Sequence, residues 1–91
     1  MMVDIQQLRR QVDEIDEQIL LALSRRVQIC KAIGAAKKAQ RKPIKDVDRE
    51  NEVYLRVRET AKKLALDPDQ AEAVYREIVN MCSAVQLEEQ Q

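Results

Sequence analysis

The sequence predicts an all-α chain of three helices, the first of them very long, that pairs with a second copy of itself. Three observations carry that expectation. No proline interrupts Ile5 to Gln40, and apolar residues recur at Leu8, Val12, Ile15, Ile19, Ala22, Leu23, Ile29 and Ile33. These alternating steps of three and four keep one stripe on one side of a helix. One glycine and two prolines in 91 residues leave little material for hairpins or long loops. The core must be built from Leu, Ile, Val and Ala, because Trp and Phe are absent and Tyr54 and Tyr75 are the only aromatics.

Asp4 can cap the first helix, and Pro43 ends it, since proline lacks an N–H and pushes Lys42 out of helical geometry. The run is about 35 residues, roughly 50 Å at 1.5 Å per residue. That exceeds the usual globular helix, and a single small domain cannot cover the stripe. A partner chain is expected to cover it. The second helix can begin at Asp46 or Asp48, both competent caps, with Glu50 suiting the positive end of the helix dipole. Its buried face is Val53, Tyr54, Val57, Ala61 and Leu64. At Leu66-Asp67-Pro68 the aspartate is a cap and the proline the first helical residue. The third helix then turns Ala71, Val74, Tyr75, Ile78, Val79, Cys82 and Val85 inward and frays through Glu88 to Gln91. Residues 1–91 are read as one domain.

Composition excludes several function classes. Sixteen Lys and Arg balance sixteen Asp and Glu, which argues against a general nucleic-acid grip. No apolar run approaches membrane-spanning length, and Met1 to Leu8 lacks the hydrophobic segment of a signal peptide. A cytoplasmic protein without membrane contact is expected. Cys30 and Cys82 are accordingly read as reduced thiols serving as small hydrophobes. Histidine is absent, which removes the commonest metal ligand and the default general base near neutral pH. No metal or cofactor is expected, and any catalysis must use other groups or need no proton transfer.

Polar residues fall where carbon should be. With Leu8, Ile15, Ala22 and Ile29 at heptad position d, Ile5, Val12, Ile19, Arg26 and Ile33 fall at a. Arg26 thus occupies a core position, and Arg9 and Lys37 lie on the stripe's edge. Snorkelling would explain Arg9 and Lys37 individually, but a guanidinium costs several kcal/mol to bury without a counter-anion. Gln86 continues the apolar spacing of Tyr75, Val79 and Cys82; it is either a polar residue in a fraying turn or an amide facing a ligand. Cationic groups, a neutral amide and carboxylates at a nearby helix start suit a small polyanion held by bidentate contacts. Arg9 and Arg26 are about 25 Å apart along one helix and cannot hold the same small molecule. Antiparallel pairing of two first helices would bring Arg9 of one subunit toward Arg26 and Lys37 of the other, twice by symmetry.

The segments LRRQVDEIDEQILLALSRR, GAAKK, KPIKDVDRE and MCSAVQ resemble the all-helical chorismate mutases of the AroQ class, the intertwined-dimer type, over essentially the whole chain. The resemblance implies that Arg9 reaches across a homodimer to one substrate carboxylate while Arg26 binds the other. It implies that Lys37 and Gln86 donate to the ether oxygen of the breaking bond. The DxxRE element matches Asp46, Arg49 and Glu50, with Glu50 taking the substrate hydroxyl and the other two supporting the site. Lys45 and Asp48 are left as surface and capping residues. Cys82, with Ser83 beside it, stands where family members carry a serine near a carboxylate; a thiol is a weaker donor.

The implied reaction is the intramolecular [3,3] rearrangement of chorismate to prephenate, which has no covalent enzyme intermediate and no obligatory proton transfer. It asks for selection of a compact substrate conformer and stabilisation of negative charge on the ether oxygen. Two rivals remain: an isochorismate-pyruvate lyase of the same fold, and a helical assembly or regulatory module without turnover. Docking onto another enzyme of the shikimate pathway is left open.

Overall fold

Asp4 opens the first helix by accepting hydrogen bonds from the backbone N–H groups of Gln6 and Gln7, at 2.9 and 3.3 Å. The computed structural model describes residues 2–91, among which the chain forms three helices: α1 (Ile5–Ala39), α2 (Val47–Lys63) and α3 (Pro68–Glu89). The first spans 35 residues, as its unbroken apolar period predicts. Asp46 caps α2 through the Arg49 N–H at 3.0 Å. Asp67 caps α3 through Asp69 and Gln70, with Pro68 at the first helical position. No helix among the described residues is long and apolar enough to cross a membrane.

The ends of α1 and α2 share one device. The Lys42 N–H bonds the Lys37 carbonyl at 2.8 Å and the Arg41 N–H that of Lys38 at 3.2 Å, while Arg41 adopts φ 56°. At the end of α2 the Leu66 and Ala65 N–H groups reach the Ala61 and Lys62 carbonyls, and Ala65 adopts φ 58°. This is the Schellman arrangement, which normally places glycine at the left-handed residue. Here an arginine and an alanine occupy those positions. Each carries the steric penalty of its Cβ.

The third helix is the hub, packing against both α1 and α2. Val53, Tyr54 and Val57 of α2 meet Val79 of α3, with Ala71 and Tyr75 packed on them. Arg76 lies over the Tyr54 ring, 4.3 Å from its centroid. Arg58 of α2 bridges to Asp69 and Glu72 of α3 at 2.9 and 3.3 Å. These bonds, Asp69 foremost, push its guanidinium further above its ordinary pKa. The α1–α3 crossing is closer still. A Cβ built on Gly34 would lie 2.8 Å from the Gln86 Cα, so only glycine lets the two backbones approach this far.

Four expectations about packing need correction. Leu64 is 65% exposed because the helix already ends there, and Val74 is 59% exposed on a face of α3 that neither neighbour covers. The last turn of α3 is docked rather than frayed: Gln90 Nε2 donates to the Gly34 carbonyl at 3.0 Å. Most consequentially, Cys30 and Cys82 are joined in a disulfide between α1 and α3, with Cα atoms 5.3 Å apart, well within the range a disulfide spans. Each cysteine sits at an apolar step of its own helix, as expected. The close crossing at Gly34 sets those two steps against each other, so the reading of two separate thiols fails.

From Ile5 to Ala22 every residue of α1 is exposed. The apolar stripe through Leu8, Val12, Ile15 and Ile19 is therefore bare in this chain, which is 62 Å long and 15 Å thick.

Candidate active site

A cavity of about 400 Å3 opens where the C-terminal half of α1, the start of α2 and the last turns of α3 converge. Its wall includes Arg26, Lys37, Asp46, Arg49, Glu50, Cys82 and Gln86, seven of the eight residues singled out from the sequence. The eighth, Arg9, is exposed and lies on the bare part of α1.

Lys37 and Gln86 form the centre of the polar wall. The Lys37 ammonium donates to the Ile44 backbone carbonyl at 2.7 Å and to Gln86 Oε1 at 2.9 Å. An ammonium has three donors, so these two contacts leave one N–H uncommitted. Lysine cannot accept a hydrogen bond, and this fixes the Gln86 amide with oxygen toward Lys37. Nε2 consequently faces α3 and donates to Cys82 Sγ at 3.1 Å, leaving its second hydrogen free. Gln86 is 6% exposed, which removes the alternative of a solvated amide in a fraying turn.

Arg26 is half-buried and donates a weak contact to Cys30 Sγ, 3.8 Å away and one turn further along α1. Among the described residues no carboxylate pairs with it. Its planar fork is therefore available for a bidentate contact to an anion. Glu50 is half-buried and meets Lys45 Nζ at 2.8 Å. Arg49 turns outward to Glu52, and Asp46 is occupied as the cap of α2.

Lys45 is a surface residue, as expected, with its side chain 71% exposed, and it also borders the cavity and pairs with Glu50. It precedes the α2 cap, outside any periodic element, so no spacing argument could orient it. The Ile44 carbonyl was invisible for a simpler reason: a backbone acceptor leaves no trace in side-chain identity. Ser83 also lines the cavity, beside Cys82.

The arrangement pairs an uncompensated guanidinium with two tethered donors in a half-apolar pocket whose wall includes Ile33, Val53 and Val79. Such a lining has the chemistry to hold a small anion and to stabilise negative charge that develops on an oxygen held there. The chorismate mutase type II family model matches residues 8–87. The chain belongs to that family. Its all-α, three-helix fold accords with that membership. The bifunctional chorismate mutase/prephenate dehydratase of Aquifex aeolicus is 32% identical over 88 residues, covering 93% of this chain and 24% of the relative. The chorismate mutase of Methanocaldococcus jannaschii is 29% identical over 94 residues, covering 100% of this chain and 95% of the relative. The chain thus spans about a quarter of the bifunctional relative and nearly all of the other.

Proposed function

We propose that this chain is a chorismate mutase, an isomerase that converts chorismate to prephenate in the cavity between α1, α2 and α3. The observation that carries this reading is the Lys37–Gln86 contact of 2.9 Å, which fixes one ammonium donor and one amide donor side by side. As the ether C–O bond breaks and the new C–C bond forms, negative charge gathers on the ether oxygen. The free N–H of Lys37 and the second Nε2 hydrogen of Gln86 stabilise it. Because both are tethered beforehand, no reorganisation is needed during the reaction. Arg26 holds one substrate carboxylate, and Glu50, oriented by Lys45, takes the substrate hydroxyl. Asp46 and Arg49 support the start of α2, and Cys82 lies beside the bound anion. No step removes a proton, so the lack of histidine is no obstacle.

The second carboxylate is assigned to Arg9 of a second copy. The exposed stripe from Ile5 to Ile19 supports this, because an antiparallel pairing of two α1 helices would cover it and carry Arg9 toward the other cavity. The protein is therefore read as a homodimer with shared sites. The name of the Aquifex aeolicus relative joins a chorismate mutase to a prephenate dehydratase, which supports association with another enzyme of the same pathway.

Product identification tests the reading. Purified protein incubated with chorismate should yield prephenate, and isochorismate should yield little pyruvate or salicylate. Pyruvate release from isochorismate exceeding prephenate formation would reassign the site to a lyase. Turnover of neither substrate would point to a helical module without catalysis.

A further inference from the structure

The Cys30–Cys82 bond lies inside the proposed site rather than beside it. Both cysteines line the cavity. Each sulfur accepts from a residue assigned to substrate, Cys30 from Arg26 and Cys82 from Gln86. Cys30 is 3% exposed, whereas Cys82 is half-buried on the cavity wall. A disulfide sulfur carries no hydrogen. In the closed form, position 82 can only accept, in a pocket whose cationic groups await an anion.

We propose that this disulfide is a redox-governed positioning element of the cavity, and that opening it improves binding of the dianionic substrate. The inference rests on the chorismate mutase reading. The co-reactant is a dithiol. One of its thiolates attacks Cys82 Sγ, the more accessible sulfur; the S–S bond breaks, and Cys30 leaves as a thiolate that takes a proton. The second dithiol sulfur displaces Cys82, which is protonated in turn, and the reductant closes into its own disulfide. Two electrons and two protons pass to the protein.

Three consequences follow on the wall. Cys82 gains an S–H that can donate to a substrate carboxylate. The sulfurs part from about 2 Å to a non-bonded separation of roughly 3.5–4 Å, which loosens the tie on the Gln86 amide. Arg26 loses a covalently fixed sulfur partner and is freer to engage the anion. A reducing environment would thus favour the tighter-binding form and an oxidising one the weaker.

The experiment compares one preparation in two states: oxidised in air, and reduced with dithiothreitol, the thiol count of each verified by mass after alkylation. Prephenate formation and thermal unfolding are followed in both. Reduction should lower KM about tenfold, the size of one hydrogen bond to a charged group, while lowering the unfolding temperature because a crosslink spanning 52 positions is lost. A merely structural brace would move activity and stability down together. Cys82→Ser cannot close but keeps a donor, so its KM should match the reduced state in either buffer. Cys82→Ala has neither bond nor donor; it keeps the loosened amide and the freer Arg26 without the S–H, so its KM should fall between the two states. Equal KM in the two verified states overturns the inference, as does a Cys82→Ser variant that keeps the oxidised-state KM. Absence of the bond after air oxidation also overturns it. Turnover in neither state removes the mutase reading, and this inference with it.

Discussion

Lys37 and Gln86 are 49 positions apart in sequence and on different helices, yet Nζ of one lies 2.9 Å from Oε1 of the other. Two local features make that contact. Gly34, one turn before Lys37, allows α1 and α3 to cross with almost no side chain between them. The Schellman turn after Ala39 then brings the Ile44 carbonyl back over the same ammonium at 2.7 Å. The donor pair is a product of helix crossing and helix ending together.

Gly34→Ala should therefore separate helix propensity from site geometry. Alanine favours a helix interior by about 1 kcal/mol over glycine, but the added Cβ would meet the Gln86 Cα at 2.8 Å, and backbone cannot rotate away. Overpacking of this kind costs about 1–3 kcal/mol. The expected outcome is retained helicity by circular dichroism, lower stability in urea, and at least a tenfold loss of turnover. Unchanged turnover would show that the close crossing does not set the donor pair.

Ala65→Gly acts on the other Schellman turn. Ala65 is exposed at φ 58°, where a Cβ costs roughly 1–2 kcal/mol and glycine carries no such penalty. The substitution should raise stability by about 1 kcal/mol in urea titration with no change in turnover, since position 65 lies away from the cavity lining.

The sequence made the helices legible because each start is a side-chain event, at Asp4, Asp46 and Asp67, and because the long stripe is strictly periodic. Helix ends were partly hidden, since Arg41 and Ala65 stand where glycine would announce a Schellman turn. At the site, Arg26 and Gln86 stood out because they break an apolar pattern. Lys45 and the Ile44 carbonyl did not, lying in a turn without a period. The disulfide was missed for a related reason: Cys30 and Cys82 are ordinary apolar steps individually, and only the register of α1 on α3 reveals them as a pair.

Dimerisation is expected to be coupled to folding. Ile5, Leu8, Val12, Ile15 and Ile19 are all exposed in the protomer, and burying one such aliphatic side chain contributes about 1.5–3 kcal/mol. Dilution should lose helicity as the dimer dissociates. Sedimentation and circular dichroism on one dilution series measure both; a folded, active monomer would contradict the shared-site account.

Arg9 and Arg26 should serve one site from opposite subunits. Arg9→Ala and Arg26→Ala homodimers are each expected to be nearly inactive. Unfolding and refolding them together gives heterodimers in which one site lacks both arginines and the other is intact. Activity approaching half the parental value per heterodimer is the expected result, whereas isolated heterodimers without activity would rule out sharing.

The pH profile of Gln86→Glu, set beside that of Gln86→Ala, tests the donor pair most directly. A carboxylate at position 86 would pair with the Lys37 ammonium, neutralising it and facing the ether oxygen with negative charge. Loss of one such donor costs about 3 kcal/mol, roughly a hundredfold in rate. Both variants should be slow near neutral pH. Only Gln86→Glu should recover as pH falls toward and below about 4.3, the ordinary glutamic-acid value, because Lys37 favours the ionised form and protonation restores a donor. With dimerisation verified at every pH, acid rescue confined to Gln86→Glu is the predicted result. Parental turnover of Gln86→Glu at neutral pH, or the same acid response in both variants, would contradict the assignment of Lys37 and Gln86 to the ether oxygen.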